Sequence, residues 1–268
     1  ESMAADVRDG LENPDRAADM IPIRLQGEGN PLFCVPGHDG VLSGIRRLAG
    51  ELRSPVWAFP LAAGVASARV HQLGADMADC LERVQPHGPL RVVGVCFGGL
   101  VAFEAACCLL ARGRNVELLA MIDTLNPAWR RSKPMIEVAG AFVRMGANRL
   151  ARPARALRQR RLEDKLAYLR SRLRALRETL SDEFGTAIEP RRLYRGAQAE
   201  YSPARRYVGK VLLFEMEARR LPAPMLGWDG LLDSTAVVES LPFDTQGALS
   251  EATAPLVARV IRCILGQP

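Results

Sequence analysis

Apolar residues along this chain cluster in two rhythms. "PLFCVPG" (31–37), "PVWAFP" (55–60), "LRVVGV" (90–95), "VELLAMI" (116–122), "KVLLFE" (210–215) and "TAVVES" (235–240) are short and rich in β-branched or leucine residues, so they predict buried strands. The segments 42–53, 70–85, 97–113 and 252–265 carry apolar residues at helical spacing. Strands that are apolar throughout, rather than at every second residue, are buried on both faces. The alternation of such strands with helices predicts an α/β fold: a mostly parallel sheet with helices on both faces.

The alternation stops between about 128 and 205. Within that stretch Leu162, Leu166, Leu169, Leu173, Leu176 and Leu180 recur at spacings of three and four, which places them on one helix face with arginines opposite. This reads as a helical insertion after the fourth predicted strand, packed on the body or capping an active site as a lid. The domain is then a core of about 21–127 and 206–268 with a lid of about 128–205. The polar stretch 1–20 lacks the apolar run of a signal peptide and reads as an expression remnant or a linker from an upstream domain.

Charge sharpens the view of the insertion. Residues 141–180 hold twelve Lys and Arg against Glu163, Asp164 and Glu178. The whole chain is +6, so the remainder is slightly acidic. A basic insertion favours an acidic substrate or partner. Nucleic acid is disfavoured, because Tyr168 is the one aromatic among those arginines able to stack a base. No apolar run reaches the roughly 18 residues of a membrane span. The six cysteines lack C-x-x-C spacing, which fits reduced thiols in a cytoplasmic protein and no metal site.

One of those cysteines carries the chemistry. In "RVVGVCFGGLVAFEAA" (91–106) a strand meets Gly94-Val95-Cys96-Phe97-Gly98 and a helix begins at once. This is the spacing of a G-x-S-x-G nucleophile elbow with cysteine in place of serine. Glycines let the backbone close around residue 96. A helix N-terminus beside the sulfur favours the thiolate. The backbone N–H of Phe97 would supply one oxyanion-hole donor. The bland alternative is a glycine-rich turn around an inert buried cysteine.

"NPLFCVPGHDG", "VQPHGPLRVVGVCFGGLVAFEAACCLLARG", "VELLAMIDT", "AQAEYSPARRYVGKVLLFEMEA" and "LGWDGL" follow one another in the order seen in type I thioesterase domains, the release domains of nonribosomal peptide and polyketide assembly lines. The chain resembles that family over roughly 21–266. The resemblance implies an α/β-hydrolase fold with a helical lid after the family's sixth strand, and an acyl chain delivered as a thioester on the phosphopantetheine arm of an upstream carrier protein. It implies no cofactor or metal held by the domain itself, no nucleic acid or membrane partner, and a monomeric domain. It places the nucleophile on Cys96 and the triad's acid on Asp123. By itself Asp123 reads equally as a strand-end turn residue or a helix cap.

The resemblance fails at the late histidine. The turn before the last helix reads "LPFDTQGALSEATAP", with Thr245 where that histidine belongs and Asp244 beside it. Neither is a useful base for a thiol at neutral pH. Of the three histidines, His87 in "QPHGP" reads as a surface turn and His71 as a residue at the start of a helix. His38 follows the first predicted strand, in the loop that supplies the second oxyanion donor in α/β-hydrolases. It is therefore the candidate base, oriented by Asp123. The alternative is that it lines the pocket and offers only its backbone N–H to the oxyanion. Relocation is allowed because triads are defined by geometry and role, not chain order.

A sulfur nucleophile needs less help from a base than an oxygen. It also exchanges one thioester for another, so the acyl group stays activated. That matters most where release is hard, as in closing a strained four-membered ring. The cysteine and displaced histidine resemble a subgroup of thioesterases that close β-lactam or β-lactone rings, the monobactam case foremost. There a sulfonated nitrogen of a terminal diaminopropionyl unit attacks its own thioester. Hydrolysis to a linear acid and a non-catalytic carrier-binding domain are the rival expectations.

Overall fold

The protein is described from a computed structural model covering residues 20–38, 40–61, 69–133, 190–217, 223–233, 235–242 and 248–267. By its contacts the chain divides into two units, 1–132 with 190–268, and 133–189; all of the second but Lys133 lies outside the described residues, and with it the leucine stripe and the basic stretch.

Among the described residues seven strands form one sheet: β1 (Ile21–Arg24), β2 (Leu32–Val35), β3 (Val56–Ala58), β4 (Leu90–Val95), β5 (Val116–Ile122), β6 (Val211–Met216) and β7 (Val237–Leu241). Their order is β1-β3-β2-β4-β5-β6-β7. Every pairing is parallel except β1 against β3. The helices of the described residues are α1 (Ser43–Glu51), α2 (Val70–Val84), α3 (Phe97–Ala111), α4 (Pro127–Arg131), α5 (Pro190–Glu200) and α6 (Ala254–Ile264). The predicted strands and helices thus recur, with ends shifted by a few residues. β1 adds a strand that the sequence pattern misses. Its "IPIR" is half-exposed, lacks an apolar run and holds a proline, which only an edge strand tolerates. The insertion therefore follows the fifth strand of the sheet.

Alternate residues of the strands feed two cores. Val92, Met121 and Leu213 face α2 and α3; Val93, Ala120 and Leu212 face α1 and α6. Apart from Glu104, α3 carries small or apolar residues on every face, as a helix largely enclosed by protein does, and twelve of its fifteen residues are buried. It runs from the C-terminal end of the central strand β4, so its first turn sits at the middle of the sheet's upper rim. In open parallel α/β sheets that rim is where ligands bind.

The close fit of that first turn makes a stability prediction. A Cβ built on Gly98 would overlap the backbone carbonyl oxygen of Pro36, and Val35 lies as near. Neither obstacle is a flexible side chain. Gly98→Ala is expected to lower stability by about 3 kcal/mol. Gly50→Ala in α1, with nothing within 4 Å of the added methyl, is expected to raise it by about 0.5 kcal/mol. Urea unfolding of both variants checks the contrast.

Candidate active site

Cys96 occupies the single residue between β4 and α3, at φ 52° and ψ −114°. A side chain held there stores roughly 1–3 kcal/mol of backbone strain. The strain is maintained by its neighbours: the Cys96 N–H donates to the Ile122 carbonyl (2.7 Å), and its own carbonyl accepts from Gly99 N–H (3.1 Å). All six cysteines are free thiols. Cys34 and Cys107 are buried, and burial pushes each thiol up to about 12, so neither is a nucleophile near neutral pH. Cys96 is half-exposed at the rim.

Asp123 is the first residue beyond β5. Val95 pairs with Ile122 in the β4–β5 register, so residues 96 and 123 leave neighbouring strands side by side. Asp123 also takes a left-handed conformation, φ 53°, and its N–H donates to the Phe214 carbonyl of β6 (2.8 Å). It is buried, with 8% of its surface exposed. A strand end next to the elbow is where a triad acid would stand; the N-cap of α4 is Asn126, whose side chain accepts from Ala128 N–H.

His38 arrives from the opposite flank. β2 is the other neighbour of β4, with Val35 opposite Gly94. The turn 37–40 is closed by Gly40 N–H donating to the Gly37 carbonyl (2.9 Å), with His38 at its first central position and half-buried. Because Gly98 rests on Val35 and Pro36, this loop begins in contact with the elbow helix. The backbones of Phe97 and His38, named as oxyanion donors, therefore belong to segments that touch.

The other histidines stand elsewhere. His87 is exposed in a bend before β4. His71 lies in the first turn of α2, but its side chain does not cap that helix. Its Nδ1 is 3.1 Å from Oε2 of buried Glu104, and its ring is 5.1 Å from that of Tyr201. The Tyr201 hydroxyl donates to Glu104 Oε1 at 2.6 Å. Burial, then the Glu104 charge, hold the Tyr201 phenol far above its ordinary range. Glu104 is two helical turns beyond Cys96 on α3, so this cluster serves the joint between α2, α3 and the chain after α5. Asp244 and Thr245 lie outside the described residues.

Two contacts at the site were not foreseeable. Tyr194 of α5 is buried with its ring 4.9 Å from that of Phe97, placing the helix after the insertion directly over the elbow. A Cβ on Gly99 would overlap Thr124 Oγ1, so the residue after Asp123 is seated on the elbow helix. The paired glycine of "CFGG" was the one sequence sign of the second contact; nothing flagged the first.

The family pattern of thioesterase domains matches residues 30–217. Malpinin synthetase of Mortierella alpina is 36% identical over 111 residues, 39% of this chain and 1% of that protein. Orsellinic acid synthase ArmB of Armillaria mellea is 32% identical over 143 residues, 50% of this chain and 6% of that protein. The chain thus spans a small fraction of these curated relatives. Among solved structures, the NocB thioesterase domain from the nocardicin cluster superposes with a TM-score of 0.65 at 21% identity, covering 93% of this chain and 99% of its own. At that identity the likeness speaks for the fold. The chain belongs to the thioesterase domain family and is built on its α/β-hydrolase fold, with cysteine standing where the elbow of such enzymes usually carries serine.

Proposed function

We propose that this domain releases a peptide from the phosphopantetheine arm of a carrier protein through an acyl-Cys96 intermediate, and that release closes a four-membered ring, a β-lactam in preference to a β-lactone. The observation that carries the reading is the strained, half-exposed cysteine at the head of α3. Strain of this kind persists where surrounding structure over-determines it, as active sites do. A carrier protein is the partner, since the curated relatives are synthetases and a synthase many times longer than this chain. The arm arrives with that partner, and the domain supplies no cofactor of its own.

In the first step the Cys96 sulfur attacks the thioester carbonyl, the oxyanion forms against the N–H groups of Phe97 and His38, and the pantetheine thiol leaves with a proton. In the second, a nitrogen of the peptide's own terminal residue attacks the acyl-Cys96 carbonyl. The base takes the proton from that nitrogen, and the Cys96 thiolate is expelled. We assign the base to the His38 imidazole, oriented by Asp123. β2 and β5 flank β4, so the strands that lead to these two residues lie about 10 Å apart, two strand spacings. A carboxylate, an imidazole and the hydrogen bond between them can bridge that gap across the sulfur. The monobactam release domain of sulfazecin, which the cysteine and displaced histidine resemble, motivates the choice of nitrogen.

Intact-protein and product mass spectrometry with a synthetic pantetheinyl peptide ending in diaminopropionate tests the reading. The expected result is an acyl adduct on Cys96 and a product lighter than the linear acid by one water. A product with the mass of the acid would make this a hydrolase. Neither adduct nor product would make it a non-catalytic carrier-binding domain.

A further inference from the structure

The motif "LGWDGL" has no place in the chemistry above, yet its residues grip the loop that carries Asp123. Trp228 is fully buried, and its Nε1–H donates to the Thr124 carbonyl at 2.8 Å. Its ring lies 4.7 Å from that of Phe103 in the elbow helix. Beside it, the Asn126 N–H donates to the Leu226 carbonyl (3.0 Å), and Asn126 Nδ2 donates to the Gly227 carbonyl (2.7 Å). Asn126 Oδ1 accepts from Ala128 N–H at 3.0 Å, which opens α4.

The gripping segment is itself an unusual piece of backbone. Met225, Leu226 and Gly227 take consecutive left-handed conformations, φ 50°, 53° and 78°. Two of the three are not glycine, so the turn costs about 1 kcal/mol or more at each. Gly227 admits no side chain, because a Cβ would lie 2.5 Å from Trp129 Cβ. The turn thus aims two carbonyls at Asn126 and the indole N–H at Thr124. On its other side Asp123 is fixed by its N–H to Phe214, and Thr124 is seated against Gly99. The acid is a left-handed residue clamped on both sides, and one jaw is the strained turn.

We propose that Trp228 and Asn126 are positioning residues that set the direction of the Asp123 carboxylate; this rests on Asp123 being the acid of the triad. Misplacing a catalytic group by a fraction of an ångström lowers rate without weakening substrate binding, because the lost interaction belongs to the transition state. A merely structural pair of hydrogen bonds would lower stability and leave the rate of the folded fraction alone.

The test is a double-mutant cycle on pantetheinyl thioester release, with rates corrected for the folded fraction. Trp228→Phe keeps the ring against Phe103 and removes the donor. Asn126→Ser still caps α4 but is too short to reach Gly227, and it serves if the first variant folds poorly. Each is expected to lower kcat about tenfold with KM unchanged. In an Asp123→Asn background each is expected to change kcat less than twofold, since the carboxylate they aim is gone. An equal tenfold loss in both backgrounds, or no loss in the native background, would overturn the positioning role alone. If Asp123→Asn itself releases product at the native rate, the assignment of the acid falls and takes this proposal with it.

Discussion

Cys96→Ala is expected to lower product release at least about a thousandfold and to abolish the covalent adduct on the domain. The argument is chemical and topological. Alanine fits the elbow without changing its backbone demands, since any residue with a Cβ meets the same strain at φ 52°. The fold and the backbone N–H groups of Phe97 and His38 therefore remain, and the residual rate measures what binding and electrostatics contribute without a nucleophile. Cys96→Ser separates a second question. An acyl-serine is an ordinary ester, less activated than a thioester. If sulfur is present to keep the acyl group hot enough for ring closure, the serine variant should load more slowly and yield mainly linear acid. Intact mass of the protein after a brief incubation, with the product spectrum, reads both variants. An alanine variant releasing product at the native rate would remove Cys96 from the mechanism.

Legibility in the sequence followed the source of each signal. The central strands were readable because both faces are buried, leaving uninterrupted apolar runs such as "VELLAMI". The elbow was readable because its glycines answer to backbone contacts that no side chain could survive: Gly94 against Gly98, and Gly98 against Pro36. The role of acid for Asp123 comes from the resemblance alone, since an Asp-Thr pair at a strand end has many uses. β1 was hidden, because an edge strand with one covered face needs neither length nor an apolar run. α4 and α5 were absorbed into the expected insertion of 128–205, although their described residues belong with the core. Tyr194 and Trp228 act through contacts between segments roughly a hundred residues apart, and no local pattern encodes those. "LGWDGL" was visible as a motif, but its role depends on what Thr124 and Asn126 do, which pattern alone does not reveal.

His38→Ala is expected to lower ring-closing release at least about a hundredfold, the scale of a lost general base, while His71→Ala and His87→Ala stay within about twofold of the native rate. The three differ in where the fold puts them. His38 lies in the turn that follows β2, the strand next to β4, in a loop whose first residues touch the elbow helix. His71 engages Glu104 two helical turns away, and His87 is exposed before β4 begins. A thiol retains some nucleophilicity without a partner base, so the first acylation should suffer less than the second step, where a poorly acidic nitrogen must lose its proton as the ring forms. His38→Ala is therefore expected to accumulate acyl-Cys96, visible by intact mass, where the native domain turns over. Raising the pH should recover part of the loss by supplying hydroxide, shifting the rate profile upward in pH. Undiminished release by His38→Ala would return that residue to lining the pocket. The proton acceptor would then be sought on the Asp123 side of the elbow, where β6 and β7 end.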